Sequence, residues 1–309
     1  MDKDIIVQIG ELDKYLKKID YIFPIKSLLQ KNINIKQIKK YYRDSDAGYK
    51  YLHSKEGAVH MALNYDGVFS DDGFYAQVKE IDNIIKPEGI KDVLELGCGK
   101  GFNSLFLAKE NPDVNFVGID ITDKHLLEAD KKARNIKNVD FSYGDFHDLD
   151  FKDASFDLIF ELESICHASD TKKVLSEIYR VLKPSGYFIL YEGFKQDGFK
   201  NISENLKTAS ILVEKSMAVN NFEEISYWLS IASGVGFKIK IKENISQVIL
   251  PSLGRFQLWA RGYYKYPFLS KIFLRLLPKD MVMNSIAGLL MPFTVYNNAH
   301  VYYKIILEK

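Results

Sequence analysis

A regular alternation of short apolar segments and helix-like segments runs from about residue 91 to residue 191, and it constrains the fold more than any other feature. Short runs rich in apolar, β-branched and aromatic residues are typical of buried strands. Predicted strands lie at 93–96, 114–119, 139–143, 156–160 and 187–191, and predicted helices lie at 102–108, 122–133 and 171–182. Because strand–helix–strand units place their strands in parallel, the pattern predicts an α/β domain with a mainly parallel sheet.

The loop between the first predicted strand and the first predicted helix carries the strongest functional motif. It reads Glu95-Leu96-Gly97-Cys98-Gly99-Lys100-Gly101. Glycines in such a turn tolerate unusual backbone angles and let a ligand approach the main chain closely. The spacing is G-x-G-x-G, and the sixth position, where the dinucleotide fingerprint has glycine, is Phe102. The motif therefore predicts a nucleotide-type site and argues against NAD as its ligand.

Two acids follow the next two predicted strands. Asp120 ends the second strand, where a carboxylate can accept both hydroxyl hydrogens of a ribose. Gly144-Asp145-Phe146 follows the third strand, so that Asp145 is placed to accept from an adenine amino group while Phe146 packs on the base. One such acid is usually a turn or helix cap, but three features after three successive strands predict one shared site.

These motifs together resemble the class I S-adenosylmethionine-dependent methyltransferases. The resemblance covers about residues 91–193 and rests on VLELGCGKG, GID, GDF, FDLIF and EIYRVLKPSGYFILYE, which occur in family order. It implies a Rossmann-like, seven-stranded sheet whose last strand is antiparallel, and S-adenosylmethionine as the cofactor. The cofactor-binding residues that it implies are Glu95, Gly97, Cys98, Gly99, Gly101, Asp120, Ile121, Gly144, Asp145, Phe146 and Glu161.

The fourth predicted strand ends in Phe160-Glu161-Leu162-Glu163-Ser164-Ile165-Cys166-His167-Ala168. This segment resembles the sterol C-methyltransferases, which carry an acid and then Cys-His-Ala here, and more distantly the tocopherol methyltransferases. The sequence departs from the sterol group at residues 51–55, which read Tyr-Leu-His-Ser-Lys in place of an aromatic-acid-Gly-Trp-Gly signature. The resemblance therefore favours a sterol, isoprenoid or lipid-like acceptor without selecting the sterol.

Methyl addition to an alkene carbon creates a carbocation, which carboxylates and aromatic faces stabilise until a base removes a proton. Glu163, Glu192 and His167 are the predicted residues for cation stabilisation or base, with Tyr191 and Tyr65 as supports. For a hydroxyl or amine acceptor, His167 or Glu163 would be the general base. His60 is a further catalytic candidate, and its alternative is a loop histidine bonded to a backbone carbonyl.

The remaining segments predict additions to the sheet domain. The chain divides into a helical N-terminal extension over the active site (1–90), the cofactor-binding core (91–249), an aromatic-rich lid insertion (250–298) and the last strand (299–309). Aromatic residues of the insertion are expected either to line the acceptor pocket or to pack between lid and sheet. They are Phe256, Trp259, Tyr263, Tyr264, Phe293 and Tyr296.

The charge pattern bears on partners. The whole chain has 42 Lys+Arg against 41 Asp+Glu, which argues against a globally basic nucleic-acid-binding face. Residues 251–309 hold eight basic residues and two acids, so this segment predicts either peripheral contact with an anionic membrane or a solvated face. The two cysteines form no metal motif or disulfide framework, no metal is expected, and no signal segment is recognisable. A cytoplasmic location is expected, and both peripheral membrane contact and homodimerisation are left open.

The sequence thus predicts an enzyme that transfers a methyl group from S-adenosylmethionine to a hydrophobic small molecule, with carbon as the favoured acceptor atom. Two alternatives stay open. One is an O- or N-methyltransferase for a polar or aromatic metabolite. The other is a protein that binds the cofactor without methylating, such as a cyclase-like relative.

Overall fold

Seven strands form one sheet in the computed structural model, which describes residues 5–309. In chain order they are β1 (Asp92–Leu96), β2 (Asn115–Asp120), β3 (Val139–Tyr143), β4 (Phe156–Leu162), β5 (Leu182–Lys195), β6 (Lys238–Asn244) and β7 (His300–Glu308). They lie side by side in the order β3-β2-β1-β4-β5-β7-β6. β7 is antiparallel to both of its neighbours, and the other pairs are parallel. This confirms the predicted fold class and the antiparallel last strand.

Helices flank this sheet and also form a separate layer beside it. They are α1 (Ile9–Ile22), α2 (Ile25–Leu29), α3 (Ile35–Gly48), α4 (Ala76–Ile85), α5 (Phe102–Glu110), α6 (Asp123–Ala133), α7 (Thr171–Val181), α8 (Glu204–Ser216), α9 (Ile225–Val235), α10 (Leu250–Tyr263), α11 (Pro267–Leu276) and α12 (Lys279–Tyr296). Short 3₁₀ or π turns lie at Tyr49–His53, Asp71–Tyr75, Ile165–His167 and Phe199–Asn201.

The central strands are buried on both faces, which explains their continuous apolar runs. In β4, Leu158 and Phe160 face one apolar cluster with α4 and α5, whereas Ile159 faces the other cluster with α7 and α9. All three side chains are fully buried. Since successive strand residues point to opposite faces, only a strand covered on both sides buries them all.

A third apolar cluster joins helices from distant parts of the chain. Leu12 and Ile19 of α1 pack with Leu212 of α8 and with Ile286 and Leu290 of α12, all of them fully buried. We call α1–α3, α8 and α10–α12 the helical cap. The predicted N-terminal extension and lid insertion are therefore parts of one layer, because each buries its apolar side against the other.

Packing differs from the predicted division of the chain at two places. α4 lies within the predicted N-terminal extension, but Val78, Ile81 and Ile85 are buried in the sheet cluster with Val93. α8 lies within the predicted core, but its apolar residues are buried in the helical cap. In both helices the position of the apolar side, rather than the place in the sequence, decides which layer it joins.

Candidate active site

A cavity of about 700 Å³ opens at the carboxyl ends of β1, β2, β4 and β5. On the sheet side it is lined by residues at the carboxyl ends of these strands. Gly97 and Glu163 follow β1 and β4, Asp120 is the last residue of β2, and Glu192 lies near the end of β5. On the other side it is covered by residues of α3 and α12 from the helical cap. Ligands of open α/β sheets bind at this edge, where loops from neighbouring strands converge.

The glycine loop lies against this cavity in a backbone conformation that requires glycine. Gly97 has φ of +68°, and a Cβ there would lie 2.4 Å from Cβ of Ser164. Gly99 has φ of +52°, but a Cβ there would project into open space and approach only Val59, at 3.9 Å. Gly97 is therefore needed for packing, whereas Gly99 leaves the main chain open to a ligand.

Asp120 is fixed in the cavity wall by two backbone donors. The N–H of Gly99 donates to Oδ2 at 2.9 Å, and the N–H of Thr122 donates to Oδ1 at 2.7 Å. A carboxylate offers about four lone-pair positions, so each oxygen still has room for a ligand hydroxyl. This arrangement fits the ribose role predicted from the sequence.

Asp145 and Phe146 line the cavity beside Asp120. Oδ1 of Asp145 accepts from the backbone N–H and from Nδ1 of His147, at 2.9 and 2.7 Å. Burial alone would raise the pKa of Asp145, but the donors from His147 hold it below its usual range. The carboxylate is thus charged and oriented, as an acceptor for an adenine amino group must be. Ile121 and Gly144 lie in the same wall.

Four of the predicted cofactor residues support the loop from behind and do not line the cavity: Glu95, Cys98, Gly101 and Glu161. The carboxylate of Glu95 accepts from Asn103 and from both donors of Ser104, which ties β1 to the start of α5. Burial raises the pKa of Glu95 to about 7. Burial likewise raises the pKa of Glu161 to about 8, although the N–H and hydroxyl of Ser164 bond its Oε2.

Two further acids, Glu163 and Glu192, line the same cavity. Glu163 has φ of +57°, an unusual conformation for a residue with a side chain. Its Oε1 accepts from the N–H of Met61 at 2.6 Å and from the hydroxyl of Tyr302 at 2.7 Å, and burial raises its pKa to about 7. Glu192 accepts from the N–H groups of Cys166 and Gly193. Burial, with the nearby Glu161, raises the pKa of Glu192 well above its usual range.

His167 is held in one tautomer beside these acids. Its Nδ1 lies 3.1 Å from the carbonyl oxygen of Ala218, which can only accept, so Nδ1 carries the proton. Nε2 then accepts from the hydroxyl of Tyr42, at 2.9 Å. Burial lowers the pKa of His167 to about 4, so the ring is neutral near pH 7. Tyr42 was not predicted as a site residue.

Three predicted catalytic residues lie outside the cavity. Tyr191 precedes Glu192 in β5 and points to the opposite face of the sheet, where its hydroxyl bonds Glu80 at 2.6 Å. Tyr65 is 61% exposed and bonds the other oxygen of Glu80. His60 is buried against Asn103 and the carbonyl of Met61, which matches the loop-histidine alternative. Burial lowers the pKa of His60 to about 4. Tyr191 and Tyr65, predicted as supports, and His60, a further catalytic candidate, therefore do not line the cavity.

The aromatic residues expected from the insertion do not line the cavity either. Tyr264 and Phe293 are fully buried in the helical cap, while Trp259 and Tyr296 are each 42% exposed. Phe256 and Tyr263 are partly buried beside apolar clusters. The aromatic rings that do line the cavity are Tyr41, Tyr42, Tyr49, Phe146, Phe222 and Tyr302. Three of these come from the tyrosine-rich stretch at residues 41–51, which was the sequence feature that could have revealed them.

The residues present fit S-adenosylmethionine. Gly99 leaves space over the main chain, Asp120 has free lone pairs, and the buried hydroxyl of Thr122 in the same wall has no partner among the described residues. Asp120 would hold the ribose, Asp145 and Phe146 the adenine, and the Gly97–Gly101 loop the methionine part. Within residues 5–309 no cluster of three or more His, Cys, Asp or Glu is placed to hold a metal ion.

Comparison with known proteins identifies similar methyltransferases. Residues 87–233 match a family model described as a methyltransferase domain. A sterol 24-C-methyltransferase of Aspergillus fumigatus is 32% identical over 52% of this chain and 42% of its own length. One of Neurospora crassa is 30% identical over 57% of this chain and 48% of its own, and one of Saccharomyces cerevisiae is 24% identical over 72% and 66%. The chain thus spans about half the length of the first two relatives and less than two thirds of the third.

Solved structures share the whole fold at low sequence identity. The cyclase SpnF superposes with a TM-score of 0.70 at 20% identity, covering 91% of this chain and 99% of its own. The cyclopropane synthase MmaA2 of Mycobacterium tuberculosis has a TM-score of 0.69 at 13% identity, covering 90% and 99%. A geranyl diphosphate methyltransferase has a TM-score of 0.62 at 14% identity, covering 88% and 98%.

The fold and the cavity define a class I α/β domain with a nucleotide-type site at the carboxyl edge of its sheet. Residues 87–233 are thus similar to a methyltransferase domain, and the residues of the cavity fit S-adenosylmethionine, the cofactor that the sequence predicted.

Proposed function

We propose that this protein transfers a methyl group from S-adenosylmethionine to a carbon atom of a hydrophobic small molecule of the sterol, isoprenoid or lipid-like kind. One observation carries the proposal: a single cavity joins the glycine loop and Asp120 to a chamber that contains Glu163 and Glu192. The apolar residues Ile249, Met291 and Val295 complete the wall of this cavity. Such a chamber can hold an apolar molecule and place carboxylates beside it.

S-adenosylmethionine supplies an electrophilic methyl group on a sulfonium centre. An alkene that attacked this methyl would form the new carbon–carbon bond with its π electrons, while the methyl–sulfur bond would break with its electron pair left on sulfur, and the neighbouring alkene carbon would become a cation. A carboxylate in a water-poor chamber stabilises such a charge strongly. Loss of a proton from an adjacent C–H then restores a double bond, and the chain must supply a base for that proton.

The raised and lowered pKa values assign these tasks among the buried groups. Burial and the nearby Glu161 raise the pKa of Glu192 well above its usual range, so its carboxylate, once charged, would bind a proton tightly. Glu163, anchored by Tyr302 and Met61, keeps a fixed position suited to stabilising the cation. His167 is a poor base because burial lowers its pKa to about 4. We therefore assign Glu192 as base and Glu163 as stabilising carboxylate, with His167 positioning Tyr42.

The charges of the cavity wall restrict the acceptor further. Among the described residues that line it, Asp120, Asp145, Glu163, Asp170 and Glu192 are acids, and Lys173 is the one lysine or arginine. An acceptor with a diphosphate would bring its charge among these acids, at a cost in binding free energy. We propose an uncharged acceptor, unlike the ligand of the neighbour that was solved with geranyl diphosphate.

A second candidate is N-methylation of a hydrophobic amine, because Glu163 and Glu192 would also attract a protonated amine. Cofactor binding without methyl transfer is the remaining alternative.

The cytoplasmic location and the peripheral membrane contact expected from the sequence stay predictions. No helix within residues 5–309 is long and apolar enough to cross a membrane.

A methyl-transfer screen tests the proposal. The protein is incubated with radiolabelled S-adenosylmethionine and separate pools of sterols and isoprenoid alkenes, of prenyl diphosphates, of hydrophobic amines and of polar phenols. We expect label in the alkene pool and little in the diphosphate pool. Label confined to amines or phenols, or tight cofactor binding without transfer to any pool, would overturn it.

A further inference from the structure

The short helix α11 exposes an apolar side to solvent. Phe268 is 69% exposed, Phe273 is 50% exposed and Leu276 is 73% exposed, and Ser270 is the one buried residue of the helix. Leu269 and Ile272 are also exposed, as is Trp259 near the end of α10. We call Phe268, Leu269, Ile272, Phe273 and Leu276 the apolar face. Each of these residues lies three or four positions from another of them, so they share one side of α11.

Basic residues accompany this apolar face, and acids are absent from the segment. Residues 251–279 contain Arg255, Arg261, Lys265, Lys271, Arg275 and Lys279 and no Asp or Glu. Lys271 and Arg275 lie one helical turn apart on α11, next to the apolar side. Nζ of Lys271 lies 3.8 Å from the ring centroid of Tyr21 in α1. The surface is therefore both apolar and positively charged.

Two acids of the neighbouring elements α12 and α1 are engaged elsewhere. Asp280, which follows the segment, is buried and forms ion pairs with Lys31 and Lys40. In α1, Asp20 accepts from the backbone N–H of Ile25. These carboxylates do not neutralise Lys271 or Arg275 through any ion pair of the described residues.

An exposed apolar side flanked by cations on a short helix is complementary to an anionic lipid surface. At 10 residues, α11 is about 15 Å long, too short to cross a bilayer but long enough to lie in its interface. A protein partner for this surface would have to match it with acids around an apolar groove. A bilayer with anionic headgroups supplies both properties without a specific shape.

We propose that the apolar face, with Lys271 and Arg275, is a docking surface for an anionic lipid bilayer. The apolar side chains insert among the acyl chains near the headgroups, and the two cations contact lipid phosphates. This places the enzyme at the phase in which apolar molecules dissolve. The inference does not depend on which acceptor is methylated.

Vesicle flotation of the full chain tests this proposal. Phosphatidylcholine vesicles are compared with vesicles that also contain phosphatidylglycerol. We expect flotation with the anionic vesicles alone, and less of it at high salt because salt screens the attraction. Of the two tryptophans, Trp228 is buried and Trp259 is exposed, so lipids brominated on the acyl chain should quench Trp259 fluorescence.

Two variants separate the apolar and charged contributions. Phe268→Ser with Phe273→Ser should abolish quenching, and Lys271→Gln with Arg275→Gln should lower partition onto anionic vesicles by about thirtyfold. Matched controls are Tyr227→Ser, exposed on α9, and Lys131→Gln with Lys137→Gln, near the end of α6. These controls should bind like the parent chain.

Three results would overturn the proposal. The first is no binding to anionic vesicles, and the second is binding that neither variant pair reduces. The third is a concentration-dependent dimer, measured by sedimentation, that the Phe268→Ser, Phe273→Ser variant abolishes while vesicles bind neither form. That third result would assign the surface to a second copy of this chain.

Discussion

At the scale of single residues, three nearby carboxyl groups differ in the partners that hold them, and therefore in their roles. Glu161 supports the loop at Ser164, Glu163 is anchored by Tyr302, and Glu192 is held by two backbone N–H groups. The sequence located all three because they follow or end strands whose edge position is predictable. It misplaced Tyr191, although strand alternation already requires that Tyr191 and Glu192 point to opposite faces. Tyr42 and Tyr302 were missed because they come from distant elements, and only the tertiary fold brings them to the cavity.

Removing the charge of Glu192 tests its catalytic role. We expect Glu192→Gln to lower kcat by about a hundredfold or more, because an amide can neither take the proton nor stabilise the cation fully. Calorimetric affinity for S-adenosylmethionine should change much less. Glu110→Gln, an exposed change at the end of α5, is the control. A Glu192→Gln enzyme with the parent kcat would contradict the assignment.

The buried acids also predict how stability depends on pH. Burial raises the pKa of Glu95 and Glu163 to about 7 and that of Glu161 to about 8, whereas an unfolded glutamate titrates near 4.5. Between pH 6.5 and 8 the folded state therefore holds more protons than the unfolded state. The free energy of unfolding must fall as pH rises through this window, and the loss is complete above the folded pKa values.

Thermal unfolding of the cofactor-free protein checks this slope. We expect Tm to be lower at pH 8 than at pH 6.5. His53, His60 and His167, whose pKa values burial lowers to about 3, 4 and 4, act in the opposite direction mainly below pH 6.5. Glu161→Gln should reduce the fall in Tm, and Glu110→Gln should leave it unchanged. A Tm that rises steadily from pH 6.5 to 8 would count against neutral buried acids.

At the scale of elements, the strands and the helices between them were predictable, and the cover of the cavity was not. Each predicted strand of residues 93–191 is present, because short apolar runs bounded by turn residues are typical of buried strands. β5 begins at Leu182, directly after α7, and extends to Lys195, beyond the predicted range. α3 contributes Tyr41 and Tyr42 to the cavity. The sequence of α3 predicts a helix, but it does not show whether that helix packs on the sheet or joins the helical cap.

The start of α3 provides a test at this scale. The side chain of Asn34 accepts from the N–H of Gln37, and the side chain of Gln37 accepts in return from the N–H of Asn34. Asn34→Ala removes one half of this capping box and should lower the free energy of unfolding by about 1 kcal/mol. Because Asn34 and Ile38 line the cavity, KM for the acceptor should rise.

Gln8→Ala is the matched control for the cap. Gln8 precedes α1 in the same position, and its side chain makes no cap hydrogen bond. Chemical denaturation should show little change for this variant. Equal losses of stability in the two variants would mean that the capping box of α3 contributes nothing specific.

At the scale of the whole molecule, one cap made from both ends of the chain closes the cavity over the sheet. Leu12 near the start and Ile286 near the end are buried in the same cluster. The sequence predicted each part but not their union, because contacts over such a separation leave no local pattern. The charge distribution, in contrast, can be read from the sequence. The basic segment after residue 250 contains α11, whose apolar side chains are exposed.

The most direct test of the central claim is to find the atom that receives the methyl group. The protein is supplied with S-adenosylmethionine carrying an isotopically labelled methyl group and with an uncharged alkene acceptor selected by the screen, and the product is examined by nuclear magnetic resonance. We predict a labelled methyl bonded to carbon, formed by the parent chain and nearly absent with Glu192→Gln. A label bonded to nitrogen or oxygen, or no labelled product from any alkene, would contradict the claim that this cavity methylates carbon.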